Sequence, residues 1–157
     1  MKTIVSALAV ALAGFAGIEA QAQTPRPVLD FRTADAIRNH CLAHAERAGH
    51  IVAVAVFDHS GELVSFAKDR AKPGTAAVAQ WKGRSAAVYL NSTLETGSWN
   101  VPTAPMIATI EGGVPLFTRD GIGIGGVGVS GAPSAFDAEC ATRAAEAAGL
   151  AVSPAGR

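Results

Sequence analysis

The sequence predicts an α+β domain, a mainly antiparallel sheet with helices packed on it. Three observations predict this class. Apolar and small residues recur at helical spacing in three stretches, each bounded by a capping residue or a glycine. Between them lie short β-branched runs joined by Asp, Ser and Gly turns, the pattern of hairpins. The order is helix, hairpin, helix, three strands, helix, without the strict alternation of strand and helix that builds a parallel sheet.

Residues 1–22 stand apart from the domain. Lys2 gives a positive start, Ile4 to Ile18 is almost wholly apolar, and Ala20-Gln21-Ala22 after Glu19 is a small-x-small cleavage pattern. That order reads as a cleaved secretory signal peptide. The run is shorter than the ~20 residues a bilayer span needs. Processing leaves residues 23–157, 135 of the 157, enough for one domain with a proper core. No membrane span is expected after processing, and the protein is expected in the periplasm or outside the cell. Lys+Arg and Asp+Glu are balanced at 13 each, so no basic excess invites a nucleic-acid partner.

Residues 23–29, with Pro25 and Pro27, form an extended lead-in. Asp30 or Thr33 caps a helix from about Ala34 to Ala48 that Gly49 ends. Its buried face carries Ile37, Cys41 and Ala48, with His44 in the same arc. Ile51–Phe57 and Glu62–Lys68 read as a hairpin around Asp58-His59-Ser60-Gly61. Pro73 and Gly74 break the chain before an Ala-rich helix over Thr75–Leu90. Asn91–Pro105 is a polar loop with a short helix. Met106–Ile110 and Val114–Thr118 are expected to pair around Glu111-Gly112-Gly113. Ile122–Ser130 is a glycine-filled strand whose apolar parity changes midway, which a bulge near Gly125-Gly126 would produce. Ser134 caps a last helix, Ala135–Ala148.

Several constellations could carry chemistry. Gly123 to Gly128 fits G-x-G-x-x-G, but inside a strand and with no βαβ unit around it. That context favours a strand closely approached by a helix or a ligand. His40 and His44 are spaced i, i+4, and His44 is a candidate haem-iron ligand, against the plainer reading of a packed histidine. Lys82 and Arg84 could hold a carboxylate or a haem propionate, or sit on a solvated helix face. Asp69, Glu111 and Asp137 are the candidate proton-moving acids. Ser130 fits a backbone turn or anion nest better than a nucleophile elbow, because Ala132 stands where G-x-S-x-G has its last glycine. Met106 and Trp99 could line a pocket. Cys41 and Cys140 could form a disulfide in an oxidising compartment or stay as two buried thiols.

Val54 to Val64, the helix segment Ala79 to Ala86, Glu111-Gly112-Gly113-Val114-Pro115-Leu116, Asp120-Gly121, Gly125 to Gly131 and Asp137 together resemble the GlcG/HbpS family, over about residues 34–150. Asp69 falls where that family carries the acid of an Arg-Met-Asp stretch. The chain departs from the pattern at Lys68-Asp69-Arg70, at Trp81, Gly83 and Ser85, and over Asn91–Pro105. The resemblance implies an antiparallel sheet flanked by helices, assembly into a homo-oligomer, and haem binding or handling. On that expectation His44 would be the axial ligand. Lys82 and Arg84 would hold the propionates, and the strand with Gly126, Gly128 and Ser130 would be a close wall. Two other readings stay open. One is a periplasmic enzyme or accessory protein acting on a small organic acid held by Lys82 or Arg84. The other is an interaction module without a small ligand.

Overall fold

A computed structural model describes residues 24–101 and 103–156; the expected signal peptide lies outside the described residues. The elements in chain order are α1 (Phe31–Arg47), β1 (Ala53–Asp58), β2 (Leu63–Ala67), α2 (Pro73–Tyr89), α3 (Thr93–Gly97), β3 (Gly113–Phe117), β4 (Gly123–Ser130) and α4 (Ser134–Ala147). The strands make one antiparallel sheet in the order β2-β1-β4-β3. Helices α1 and α4 cover one face and α2 covers the other. This is the expected α+β architecture.

Strand alternation gives the two faces different chemistry. Toward α1 and α4 point Val54, Val56, Val114, Leu116, Val127 and Val129. They meet Ile37, Cys41 and Ala45 of α1 and Cys140, Ala141 and Ala144 of α4. Toward α2 the same strands present Ala53, Ala55 and Phe57, and the glycines of β4. Helix α2 answers with Ala79, Gly83, Ala86 and Ala87. A Cβ on Gly83 would lie 2.8 Å from both the Ala55 carbonyl oxygen and the Gly128 nitrogen. A Cβ on Gly128 would overlap the Ala79 carbonyl and the Gly83 amide. The G-x-G-x-x-G pattern is thus a seat for a helix backbone, and all of it lies within β4.

The structure moves several expected boundaries. Helix α1 starts at Phe31, because Asp30 is the cap and accepts the Thr33 amide at 2.9 Å. Its buried face is Ala34, Ile37, Cys41 and Ala45, and Ala48 is exposed. Helix α2 starts earlier than Thr75, with Pro73 in its first turn, where a missing N–H costs nothing. In α4, Ser134 is the first helical residue rather than the cap. The bulge sits at Ile124: Leu116 pairs with Gly125 and Phe117 with Gly123, so Ile124 is extra. That places Ile124 in the same core as Val127 and Val129.

Met106–Ile110 is not a strand. Side chains take its backbone hydrogen bonds instead of a ladder. The Ala108 amide donates to Ser85 Oγ at 2.8 Å, Thr96 Oγ1 donates to the Ala108 carbonyl, and Trp81 Nε1 donates to the Ile107 carbonyl at 2.8 Å. Trp81, Gly83 and Ser85, the departures in the helix segment, therefore hold this loop and let α2 approach the sheet.

Cys41 and Cys140 are joined, with Cα atoms 5.2 Å apart, and the bond ties α1 to α4. It closes a loop spanning 99 residues of sequence. In the chain-entropy picture a loop near that length is worth ~4–5 kcal/mol.

Two stability outcomes follow from this packing. Gly128→Ala should cost at least ~3 kcal/mol in urea unfolding, since what it meets is backbone that cannot rotate away. Gly74→Ala, with open space around its Cβ position, should stay within ~1 kcal/mol of the parent. Equal costs for the two would contradict the close α2–β4 seam. Reduction of the disulfide should lower the urea midpoint strongly, and an unchanged midpoint would show that the bridge adds no stability.

Candidate functional site

Of the residues that carry the resemblance, Lys82, Gly112, Gly113 and Asp137 meet near the C-terminal end of β4. Lys82 projects from α2 past the start of β3 and is 2% exposed. Its Nζ donates to the Val129 carbonyl at 3.0 Å and to Asp137 Oδ2 at 3.2 Å. Asp137, in the first turn of α4 and equally buried, accepts the Ala132 amide on Oδ1 at 3.1 Å. Gly112 lies against both: a Cβ there would be 2.6 Å from Lys82 Nζ and 2.9 Å from the Asp137 Cβ. Gly112 also has φ of +124°, a conformation open to glycine. A Cβ on Gly113 would press on the Lys82 carbonyl and on Thr93, whose hydroxyl accepts the Gly113 amide at 2.8 Å. The Gly-Gly pair before β3 is the space that the buried lysine needs.

Burial pushes the Asp137 carboxyl above its ordinary 3.8, while the Lys82 charge and the Ala132 and Gly131 amides pull it back down. Desolvation is the larger effect, so the group resists ionisation in the folded state. Its contribution to stability is fullest below pH 3.8 and falls as pH rises through the raised folded value.

On the outer side of the Ser130–Ala132 segment lies open space. A cleft of about 600 Å³ is lined by His50, Ile51, Arg70, Lys72, Ser130 and Gly131, among others. A second cleft, of about 470 Å³, adjoins it and shares Gly49, His50, Ile51 and Arg70. Leu42, Val52 and Asp69 are among its other walls. Asp69 has φ of +44° and pairs with Arg70 Nε at 3.2 Å on the rim. His50 is half-buried at the junction, its ring tilted on Phe136 with centroids 4.4 Å apart. Two cations, an imidazole, a hydroxyl and apolar walls make this region able to hold a planar apolar ligand with acidic arms.

The other expected site residues are placed elsewhere. His44, on α1, stacks on Phe136 of α4 with ring centroids 5.2 Å apart. Its Nε2 is enclosed, with Glu139 Oε1 at 3.6 Å as the nearest acid and no hydrogen bond made. His40 and His44 flank a smaller cleft of about 320 Å³ with Arg47 and Arg143. Arg84 is on the opposite layer, where Nε donates to the Gly61 carbonyl at 2.9 Å and the guanidinium lies 5.5 Å from the Phe57 ring centre. With Phe57, Leu63, Gln80, Trp81 and Met106 it lines a cleft of about 400 Å³. Trp99 instead meets Tyr89 edge-on. Glu111 lines a separate small cleft of about 170 Å³ beside Pro115.

His44, Lys82 and Arg84 are thus not brought to one pocket, because two of the three sit on opposite layers and Lys82 is sealed in its ion pair. Gly126 and Gly128 are covered by α2 and wall no ligand space. Of the expected set, Ser130 faces the large cleft and Asp69 the adjoining one. Asp69, Glu111 and Asp137 do not form one acid cluster. Among the described residues there is no group of three His, Cys, Asp or Glu able to hold a metal ion, and no helix long and apolar enough to cross a membrane. Sequence reading missed His50, Arg70 and Lys72. The only signal for them was the Lys68-Asp69-Arg70 departure, which placed a second base beside the acid.

The ion pair makes two expected outcomes. Lys82→Met should lose ~3–5 kcal/mol by leaving a buried carboxylate alone, and adding Asp137→Leu should recover most of it. A double variant no better than the single would contradict a paired role. In urea melts across the acid range, the stability of the parent relative to Asp137→Asn should decline as pH rises from 3.8. A difference that grows with pH would mean that the carboxyl is held low, not high.

The model of the family described as "Haem degrading protein HbpS-like" matches residues 29–146. Protein GlcG of Escherichia coli K12 is 35% identical over 110 residues, covering 66% of this chain and 81% of GlcG. Among solved structures, an HbpS double mutant of Streptomyces reticuli is 28% identical with a TM-score of 0.73, covering 90% of this chain and 97% of that one. A PduOC:heme complex has a TM-score of 0.74 at 22% identity, covering 81% and 99%, a likeness of fold. The chain belongs to the HbpS-like family.

Proposed function

We propose that this is an exported haem-binding protein. The observation that carries the reading is the family match across residues 29–146, under a haem-related description. The HbpS structures and the haem complex of PduOC support it, the latter through a shared fold. The chain's own residues fit such a group. Haem needs apolar walls, cations for its propionates and an iron ligand. The adjoining clefts at His50 offer Leu42, Ile51 and Val52 as walls and Arg70 and Lys72 as cations. When bound, haem supplies the redox-active iron, and this chain's residues position it and limit access of water.

Export is supported by the leader's charge, apolar run and Ala20-Gln21-Ala22 ending, and by the Cys41–Cys140 bridge, a bond at home in an oxidising compartment. The reading includes periplasmic or secreted location and a homo-oligomer, the latter implied by the family resemblance. Exposed Leu63, Trp81, Met106 and Val101 are apolar surface available to a second copy.

Haemin added to the processed chain, residues 23–157, should give a Soret band that saturates at a fixed stoichiometry per chain. A band rising without saturation would overturn haem binding. Mass spectrometry of protein recovered from outside the cytoplasm should find Gln23 at the N-terminus. An intact Met1 start would overturn export.

A further inference from the structure

We infer that haem docks in the paired clefts with the His50 imidazole on its iron and with Arg70 and Lys72 toward its propionates; this rests on the haem reading above. His50 lies where the two clefts meet and lines both. It follows the end of α1, where its amide donates to the Ala45 carbonyl at 2.8 Å, and its ring rests on Phe136. Backbone and ring are therefore both held, which reduces the ordering cost of an iron ligand there. Ile51, next in the chain, is 46% exposed although β-branched and apolar, and it lines both clefts. A porphyrin face is the kind of surface that would cover it. Arg70 and Lys72, just before α2, line the same cleft as Ser130. Asp69 engages only the Nε edge of Arg70, so the terminal nitrogens can meet a propionate.

Two rival placements lack one part each. At His44 the Nε2 is enclosed beside Glu139, and the cleft there is lined mainly by His40, Arg47, Arg143 and Glu146, with only small alanines as apolar wall. The cleft at Arg84 has aromatic walls but no imidazole, leaving the Met106 thioether as its one common haem ligand.

The test is haemin titration of the processed chain beside His50→Gly, His44→Ala and Arg70→Glu, each first checked for the parent's far-ultraviolet circular dichroism. His50→Gly should bind haemin at least tenfold more weakly or with a displaced Soret band, and free imidazole should restore the parent spectrum. Arg70→Glu should weaken binding several-fold with the band in place, and His44→Ala should match the parent. A His50→Gly titration indistinguishable from the parent's overturns the assignment while leaving haem binding standing. A parent without a saturable band overturns haem binding itself.

Discussion

Helix α2 lies so close to β4 that no side chain fits between Gly83 and Gly128. The other features of the domain depend on that contact. It requires glycine along the middle of β4 and alanine or glycine along one stripe of α2. It lets Lys82 pass the start of β3 and reach Asp137 on the far helix layer. It also brings Trp81 and Ser85 near enough to hold residues 107 and 108 by side-chain hydrogen bonds. On the opposite face the sheet carries branched side chains, and α1 and α4 stand off it over a conventional core, locked together by Cys41–Cys140.

This asymmetry decides where function can reside. Glycine-rich strands are commonly read as ligand walls, yet here the small residues are covered by the helix they admit. Lys82 and Asp137 join α2, β4 and α4, and each offsets part of the cost of burying the other; both are sealed from solvent, so neither is free to meet a substrate. Open, mixed-polarity space remains just outside the Ser130–Ala132 segment that this pair braces from within. The buried ion pair thus acts on the cleft indirectly, by fixing the backbone of its wall.

Much of the fold was legible in the sequence. The α1 face, the β1–β2 hairpin, the α2 and α4 helices and the disrupted parity of β4 all follow from local periodicity and turn chemistry. Met106–Ile110 misled because it is apolar and flanks a Gly-Gly turn. Its side-chain partners are Ser85, Trp81 and Thr96, 12 or more residues away, and periodicity carries no sign of them. The site was less legible for the same reason. Lys82 and Asp137 stand out as polar residues in small-residue helices, but whether they face a ligand or each other depends on tertiary placement. His50, by contrast, sits at a helix end, where solvation is the ordinary expectation, and only the packing of the 69–72 segment beside it makes a cleft.

The most direct measurement is amide chemical-shift mapping of the processed chain with zinc protoporphyrin, a diamagnetic analogue whose metal also takes an imidazole. The account predicts perturbations at His50, Ile51, Arg70, Ala71 and Ser130 to Ala132, with Gly126 and Gly128 unmoved beneath α2. Perturbations centred on Trp81, Arg84 and Met106, or running along Gly123 to Gly128, would contradict it.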